Sequence, residues 1–290
     1  MQKVKKRLTW NFEEPTELLS FSGVSTVCEE SRCPNRYECS QAGIATFMIG
    51  GSECTRACKF CHISTAKPQP LAPILRKEKE QILQSVDDLR LKYVVITSVA
   101  RDDDEKTLAE HFASLTSELN HLGKEVELLI PDFHIEPEYL DLIAEAKPLV
   151  IAHNVETIER LSKYIRPQAA YKRTLDLFEY FHKNHPQVIL KTGFMVGLGE
   201  SFDEIEELLI DLKKANIEIV TIGQYMQPSQ NQTDVVKVYS EEEFKQIEKL
   251  VIEMGFVGYE VGAFVRSSYM ASRTMEKVKL AKSEQLLAET

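Results

Sequence analysis

Apolar positions along the chain fall into two alternating patterns. Unbroken runs such as Ala45 to Ile49, Tyr93 to Val99 and Val188 to Val196 carry β-branched and aromatic residues without polar alternation, and read as strands. Val126 to Ile130, stopped by Pro131, Leu149 to Ile151 and Ile217 to Ile222 read the same way. Between them, apolar residues recur at helical spacing, as with Ile82, Val86 and Leu89. The helices predicted on this basis span 78–91, 107–122, 138–146, 155–164, 175–183, 202–215 and 241–254, and an extended segment follows at 256–261. Strands without alternation are buried on both faces, which implies a parallel sheet covered by helices. Six such β/α repeats form an open doubly wound sheet or a barrel, and both place chemistry at the carboxyl ends of the strands.

Composition narrows the class. The chain is 43% hydrophobic and 28% charged, which is ordinary for a globular protein and excludes a disordered or collagenous one. No apolar run is long enough to span a membrane, and no signal-peptide core follows the basic residues Lys3 to Arg7, so a cytoplasmic location is expected. The net charge of −10 makes nucleic acid a poor partner.

All six cysteines lie between positions 28 and 61. In a chain this long, such clustering points to metal ligation or redox chemistry rather than to a disulfide scaffold. Cys54, Cys58 and Cys61 form CxxxCxxC, and Cys28, Cys33 and Cys39 form CxxxxCxxxxxC. Three soft thiolates on a four-iron cluster leave one iron open to a ligand, whereas a structural zinc site is closed by four donors. Zinc remains an alternative, either as a Cys₃His site with His62 or shared among the six thiolates. The loops after the predicted strands are polar: 101–104, 153–157, 197–200 and 223–228. Each has a bland reading. Asp102 to Asp104 and Asn154 could cap helices, and Gly197 and Gly199 could supply positive-φ turns.

CxxxCxxC with Phe60 before its last cysteine resembles the signature of the radical S-adenosylmethionine (SAM) enzymes. The wider pattern resembles the lipoyl synthase family within them. It comprises both cysteine triplets, Tyr93 to Asp103, Pro131 to Phe133, His153 to Thr157, Gly197 to Glu200, Gly223 to Pro228 and the closing Arg266-Ser267-Ser268-Tyr269. Departures fall at Gly50, Asp104 to Lys106, Gln230 to Gln232 and Ala263, and none removes a cluster ligand.

The resemblance implies an α/β fold, a partial (β/α)6 TIM-type barrel at 45–262. It adds an N-terminal cysteine-bearing extension at 1–44 and a C-terminal tail at 263–290 that caps the barrel mouth. Cys54, Cys58 and Cys61 would hold the [4Fe-4S] cluster that binds and reduces SAM. Cys28, Cys33 and Cys39, with the Ser268 hydroxyl as fourth ligand, would hold an auxiliary [4Fe-4S] cluster. An oxygen donor on iron is more labile than thiolate, which suits a cluster that is to be dismantled. Thr97, Ser98, Asn154, Glu156, Lys191 and Glu200 would contact SAM, with a structural ion pair the alternative for Lys191. The implied reaction inserts two sulfurs at C6 and C8 of an octanoyl chain on a carrier-domain lysine. The carriers would be the 2-oxoacid dehydrogenase E2 or the glycine cleavage H protein. A ferredoxin or flavodoxin would supply electrons, and an iron–sulfur carrier would rebuild the spent cluster. The alternatives are another radical SAM enzyme with an auxiliary cluster, such as a methylthiotransferase, and a non-catalytic metal-binding protein.

Overall fold

The computed structural model describes Asn35 and residues 44–288, with side chains to Glu284. Cys28, Cys33 and Cys39 lie outside the described residues, as does the rest of the predicted extension apart from Asn35 and Ile44.

Seven strands form one sheet in chain order, every neighbouring pair parallel: β1 (Ile44–Ile49), β2 (Tyr93–Ser98), β3 (Glu125–Leu129), β4 (Val150–Ala152), β5 (Ile189–Val196), β6 (Ile219–Gln224) and β7 (Gly258–Gly262). The barrel is partial, since β1 and β7 are the two edges. Helices α1 (Leu71–Asp88), α2 (Glu105–His121), α3 (Pro137–Glu145), α4 (Glu159–Ile165), α5 (Tyr171–Asn184), α6 (Phe202–Lys214) and α7 (Glu241–Glu253) connect successive strands, and α8 (Ala271–Ala288) follows β7. No helix among the described residues is long and apolar enough to cross a membrane.

The period of two along each strand sorts side chains onto two faces. Phe47, Val94, Ile96, Leu128, Ile151, Leu190, Val220 and Ile222 pack outward against the connecting helices and form the main core. Ile44, Tyr93, Val95, Val150, Ile189 and Ile219 point inward, where Ala271, Met275 and Val278 of α8 cover them. The C-terminal helix thus closes the inner face at the end where the strands begin. Burying this face gives α8 its place, at roughly 25 cal/mol per Å² of apolar surface removed from water.

Four elements differ from the sequence expectation, one of them α5, which begins at Tyr171 rather than at Leu175. Helix α1 begins at Leu71 rather than at Glu78. Pro73 sits in the first turn, where a missing N–H costs nothing, and Leu71 and Leu75 extend the buried face of Ile82 and Val86. Helix α4 begins at Glu159 rather than at Val155. Before it, Glu156 takes a positive φ of 65° and its backbone bridges Phe194, so the chain continues as sheet edge. The extended segment after α7 is a seventh parallel strand, so the barrel has one strand more than the six repeats predicted. Gly258 lets it lie beneath α8, since a Cβ there would stand 2.7 Å from Val278 Cγ2.

Two buried histidines make the fold acid-sensitive. Burial holds His111 and His153 down to about 4, and His111 Nε2 has no partner among the described residues. Between pH 6.5 and pH 4 the unfolded chain binds protons that the folded chain refuses. Stability is therefore full above pH 6.5 and falls as pH drops, by about 3 kcal/mol per histidine at pH 4. Urea unfolding at stepped pH should show this decline, and His111→Leu should remove about half of it.

Candidate active site

The cysteine loop follows β1 and lies over the carboxyl ends of the strands. Backbone bonds seat it: Cys54 N–H donates to Ser64 O at 2.8 Å, Thr55 N–H to Ala100 O at 3.0 Å, and Lys59 N–H to Ile165 O at 2.9 Å. Phe60, the aromatic before the last cysteine, packs with Ile165, Leu198 and Tyr225. Gln168 accepts from Ala57 N–H and donates to Thr55 O. At the exit of β1, Glu78 accepts both the Gly50 and Gly51 N–H groups.

Arg56, inside the cysteine motif, fixes the loop most firmly. Its buried guanidinium donates to both oxygens of Asp102, after β2, and to both of Asp132, after β3, at 2.7 to 3.1 Å. Arg173 also reaches Asp132, at 3.3 Å. Burial alone would lower the Arg56 pKa, but the hydrogen bonds and charges of the two aspartates outweigh it and raise the value. Burial opposes the charge on Asp132 too, yet its bonds to Arg56 hold the carboxyl well below the usual range.

Cys54, Cys58 and Cys61 are half-buried thiols on this one loop. Burial pushes Cys58 up to about 12 and raises Cys61, so without metal both stay protonated. Ligands of one tetrahedral zinc stand about 3.8 Å apart. Among the described residues, the only trio of potential ligand atoms within 4.8 Å is Asp102, Glu105 and His134. The three Sγ atoms therefore do not all lie within 4.8 Å of one another. Three soft thiolates on one loop suit the corners of an iron–sulfur cluster.

The expected cofactor contacts separate into two groups. Thr97 faces inward and donates to Leu129 O at 2.9 Å. Asn154 and Glu156 lie beyond β4, half-buried, with Asn154 Nδ2 donating to Glu156 Oε1 at 3.1 Å. Asn154 caps no helix, because α4 starts four residues after Val155. Burial raises the Glu156 carboxyl, while Arg166 draws it back down. Ser98, in contrast, falls on the outward face with Val94 and Ile96, and its buried hydroxyl has no partner among the described residues. Lys191 is an internal ion pair: its ammonium sits 2.7 Å from Glu127 Oε1, both side chains are 2% exposed or less, and Tyr93 donates to the other oxygen at 2.7 Å. Glu200 is saturated by the Gly197 and Leu198 N–H groups and the Tyr239 hydroxyl. Lys191 and Glu200 are thus satisfied from within the protein, and Ser98 is turned away from the inner face. Among the strand-end loops, Gly197 and Gly199 do supply positive-φ turns, and Asp104 caps α2.

Ser268 lies on the inner face, where its Oγ accepts the Thr46 hydroxyl at 2.8 Å. Ser267 donates to Asn154 Oδ1 at 2.9 Å, so the tail segment is bonded to the residue that also holds Glu156. Gly223 permits this crossing, since a Cβ there would meet Val265 O at 2.1 Å. Sequence reasoning missed Arg56, Arg166, Gln168 and Glu127. For Arg56 a signal existed: a cation between motif cysteines, with aspartates directly after β2 and β3. His153 is bonded through Nδ1 to Ile130 O at 2.8 Å.

A family model, the Radical SAM superfamily, matches residues 48–212. Lipoyl synthase of Caldicellulosiruptor bescii is 41% identical over 281 residues, covering 96% of this chain and 95% of that protein. The lipoyl synthase of Picrophilus torridus is 43% identical over 260 residues, covering 89% and 90%. Among solved structures, Streptococcus suis SuiB bound to S-adenosylmethionine superposes with a TM-score of 0.57 at 14% identity, over 74% of this chain and 49% of that one. Methylornithine synthase superposes with a TM-score of 0.57 at 12% identity, over 81% and 75%. At such identities the structures establish the fold alone. An open parallel barrel with a three-thiol loop over its strand ends is thus the fold and site of a radical SAM enzyme. Within that superfamily, the chain belongs to the lipoyl synthase family. It is a sulfurtransferase whose cofactors are SAM and [4Fe-4S] clusters.

Removing the grip of Arg56 should loosen the loop. Arg56→Leu leaves Asp132 buried with only the partial partner Arg173, a loss of about 3–5 kcal/mol for such a pair. After anaerobic reconstitution, this variant should retain less iron per chain and melt earlier. Arg56→Lys should restore little of either, because an ammonium cannot bridge two carboxylates in bidentate fashion.

Proposed function

We propose that Cys54, Cys58 and Cys61 hold the cluster that binds SAM, and that Cys28, Cys33, Cys39 and Ser268 hold an auxiliary cluster that donates sulfur. The substrate is an octanoyl chain in amide linkage on a lysine of a lipoyl carrier domain, and the product is the lipoyl group. The carrier is the E2 subunit of a 2-oxoacid dehydrogenase or the glycine cleavage H protein. A ferredoxin or flavodoxin feeds electrons, an iron–sulfur carrier restores the spent cluster, and the reaction runs in the cytoplasm.

One observation carries the auxiliary assignment. The Asn35 side-chain amide, between Cys33 and Cys39, donates to the carbonyl of Phe264, four residues before Ser268. This bond supports a site shared by the cysteine-bearing extension and the C-terminal tail, 229 positions apart in sequence.

When bound, the cofactors supply a primary carbon radical, able to take hydrogen from unactivated C6 and C8, and the sulfur that replaces it. The chain's own residues bind, orient and exclude. Thr97, Asn154 and Glu156 remain at the inner strand ends to meet the polar groups of SAM. Ser98, Lys191 and Glu200 support them from behind. The bonds from Ser267 to Asn154 and from Asn154 to Glu156 fix the distance between the radical end and the sulfur end. Positioning of this kind lowers the barrier through proximity. Beneath both, α8 and the inner apolar side chains keep bulk water from the chamber. No general base is required, because neither C–H bond is acidic.

The test is anaerobic: the reconstituted protein is given SAM, dithionite and an octanoyl-lysine peptide, and the peptide is weighed by mass spectrometry. Gain of two sulfurs is expected, with no net loss of hydrogen in the dithiol and with loss of two hydrogens once the dithiol is oxidised to the dithiolane. Ser268→Ala should still yield 5′-deoxyadenosine but lower the doubly thiolated product at least tenfold. Cleavage of SAM with the wild-type peptide unchanged would sink the substrate assignment.

A further inference from the structure

Arg166 directly follows α4 and is 5% exposed. Its Nη1 donates to Val155 O at 2.9 Å and to Thr174 Oγ1 at 3.5 Å. Its Nη2 donates to His153 Nε2 at 3.4 Å, because His153 Nδ1 is the nitrogen that donates to Ile130 O. His153 stays uncharged, since burial and the Arg166 charge hold its pKa down to about 4. All three partners of the guanidinium are therefore neutral, and among the described residues no carboxylate forms an ion pair with it. The carboxylates whose charge it feels are engaged elsewhere. Glu156 Oε1 accepts from Asn154, and Asp132 is gripped by Arg56 and Arg173. A guanidinium taken out of water is costly unless an opposite charge answers it.

The cysteine loop brings such a charge close. Ile165 O, one residue before Arg166, accepts the N–H of Lys59, one residue after Cys58, at 2.9 Å. The three thiols are unequally supported. Cys54 Sγ accepts the Arg56 N–H at 3.4 Å, and Cys61 Sγ accepts from the backbone of His62 and Ile63. Cys58 receives no hydrogen bond among the described residues, and what favours its thiolate is the positive charge of Arg166. Hydrogen bonds to sulfur and nearby cations both favour the more negative form of a thiolate-bound cluster.

We propose that Arg166 is a fixed counter-charge for the cluster on Cys54, Cys58 and Cys61, acting through the Cys58 corner to make that cluster easier to reduce. The proposal rests on the assignment of a cluster to these three cysteines. Because it acts through Cys58, Arg166 is a positioning residue rather than a catalytic one. Reduction brings one electron from an external one-electron donor into a site that already holds three thiolates; no bond forms or breaks. A neighbouring cation stabilises the added negative charge, and more strongly away from water, where charge is poorly screened. The neutral partners of Arg166 serve this role, because a carboxylate in their place would cancel the charge they hold in position.

The test is a redox titration of the reconstituted full chain without SAM, followed by electron paramagnetic resonance. It is run on Cys28→Ala/Cys33→Ala/Cys39→Ala protein, so that the Cys54 cluster alone gives the signal. Arg166→Gln removes the charge. Thr174→Asp keeps Arg166 and sets a carboxylate against its Nη1, which cancels the charge without emptying the site. Each should lower the reduced-to-oxidised ratio at a given potential about tenfold, a fall in midpoint of about 59 mV for one electron. Arg166→Lys should stay near the parent midpoint. Unchanged midpoints in both charge-cancelling variants, with iron and sulfide content intact, would overturn the proposal. So would weaker SAM binding by calorimetry at an unchanged midpoint, because Arg166 would then be a cofactor contact. Equal loss of cluster and of melting temperature in all three variants, Arg166→Lys included, would make Arg166 structural only. A folded triple-alanine parent that binds no iron would instead sink the cluster assignment, and this proposal with it.

Discussion

The Arg56 guanidinium, held by the buried Asp132 and the more exposed Asp102, is the constraint on which the site depends. A loop bearing three half-buried thiols has little apolar surface of its own to hold it in place. Its seat comes from one cation that reaches the ends of β2 and β3 together. Bidentate bonds fix direction as well as distance, which an isolated point charge would not do. The cost of burying Arg56 and Asp132 is offset by the hydrogen bonds between them and by those from Arg56 to Asp102. The same arrangement makes the loop dependent on Asp102 and Asp132, which lie 46 and 76 positions away in sequence.

Behind that rim, the inner face is graded. At the strand starts it is apolar and filled by α8. One layer up lies the network of Tyr93, Glu127 and Lys191, buried and mutually satisfied. Such a pair adds little net stability over an apolar replacement. It does give the middle of the barrel a rigid polar layer beneath Thr97, Asn154 and Glu156. Polar atoms become available to a ligand only at the strand ends, at Thr97, Asn154 and Glu156. The gradient confines the chemistry to one level of the barrel, as parallel barrels generally do.

The C-terminal tail turns this scaffold into a chamber. It crosses above Gly223, places Ser267 on Asn154 and Ser268 on Thr46, and then descends as α8. The residues that hold the tail therefore also hold the proposed radical end, and the two halves of the chemistry share one set of supports.

Much of this was legible in the sequence. Apolar runs located six of the seven strands, because a strand buried on both faces admits few polar residues. The thiol spacing indicated a cluster, because ligands on one loop are close in sequence whatever the rest of the chain does. Local pattern could not show which side a strand-end residue faces. Thr97 and Ser98 are adjacent and chemically alike, yet the pleat turns one inward and the other toward the helices. Nor could it show that Lys191 and Glu200 are satisfied from within, since Glu127 and Tyr239 are 64 and 39 positions away. The extent of α1 was decided by the burial of Leu71 and Leu75, and that of α4 by the sheet bridge at Glu156, which overrode the helical spacing near Val155. Local chemistry thus determined which groups are available. Long-range burial and hydrogen bonding decided which of them remain free to act, because a buried charge must find its partner wherever the fold brings one.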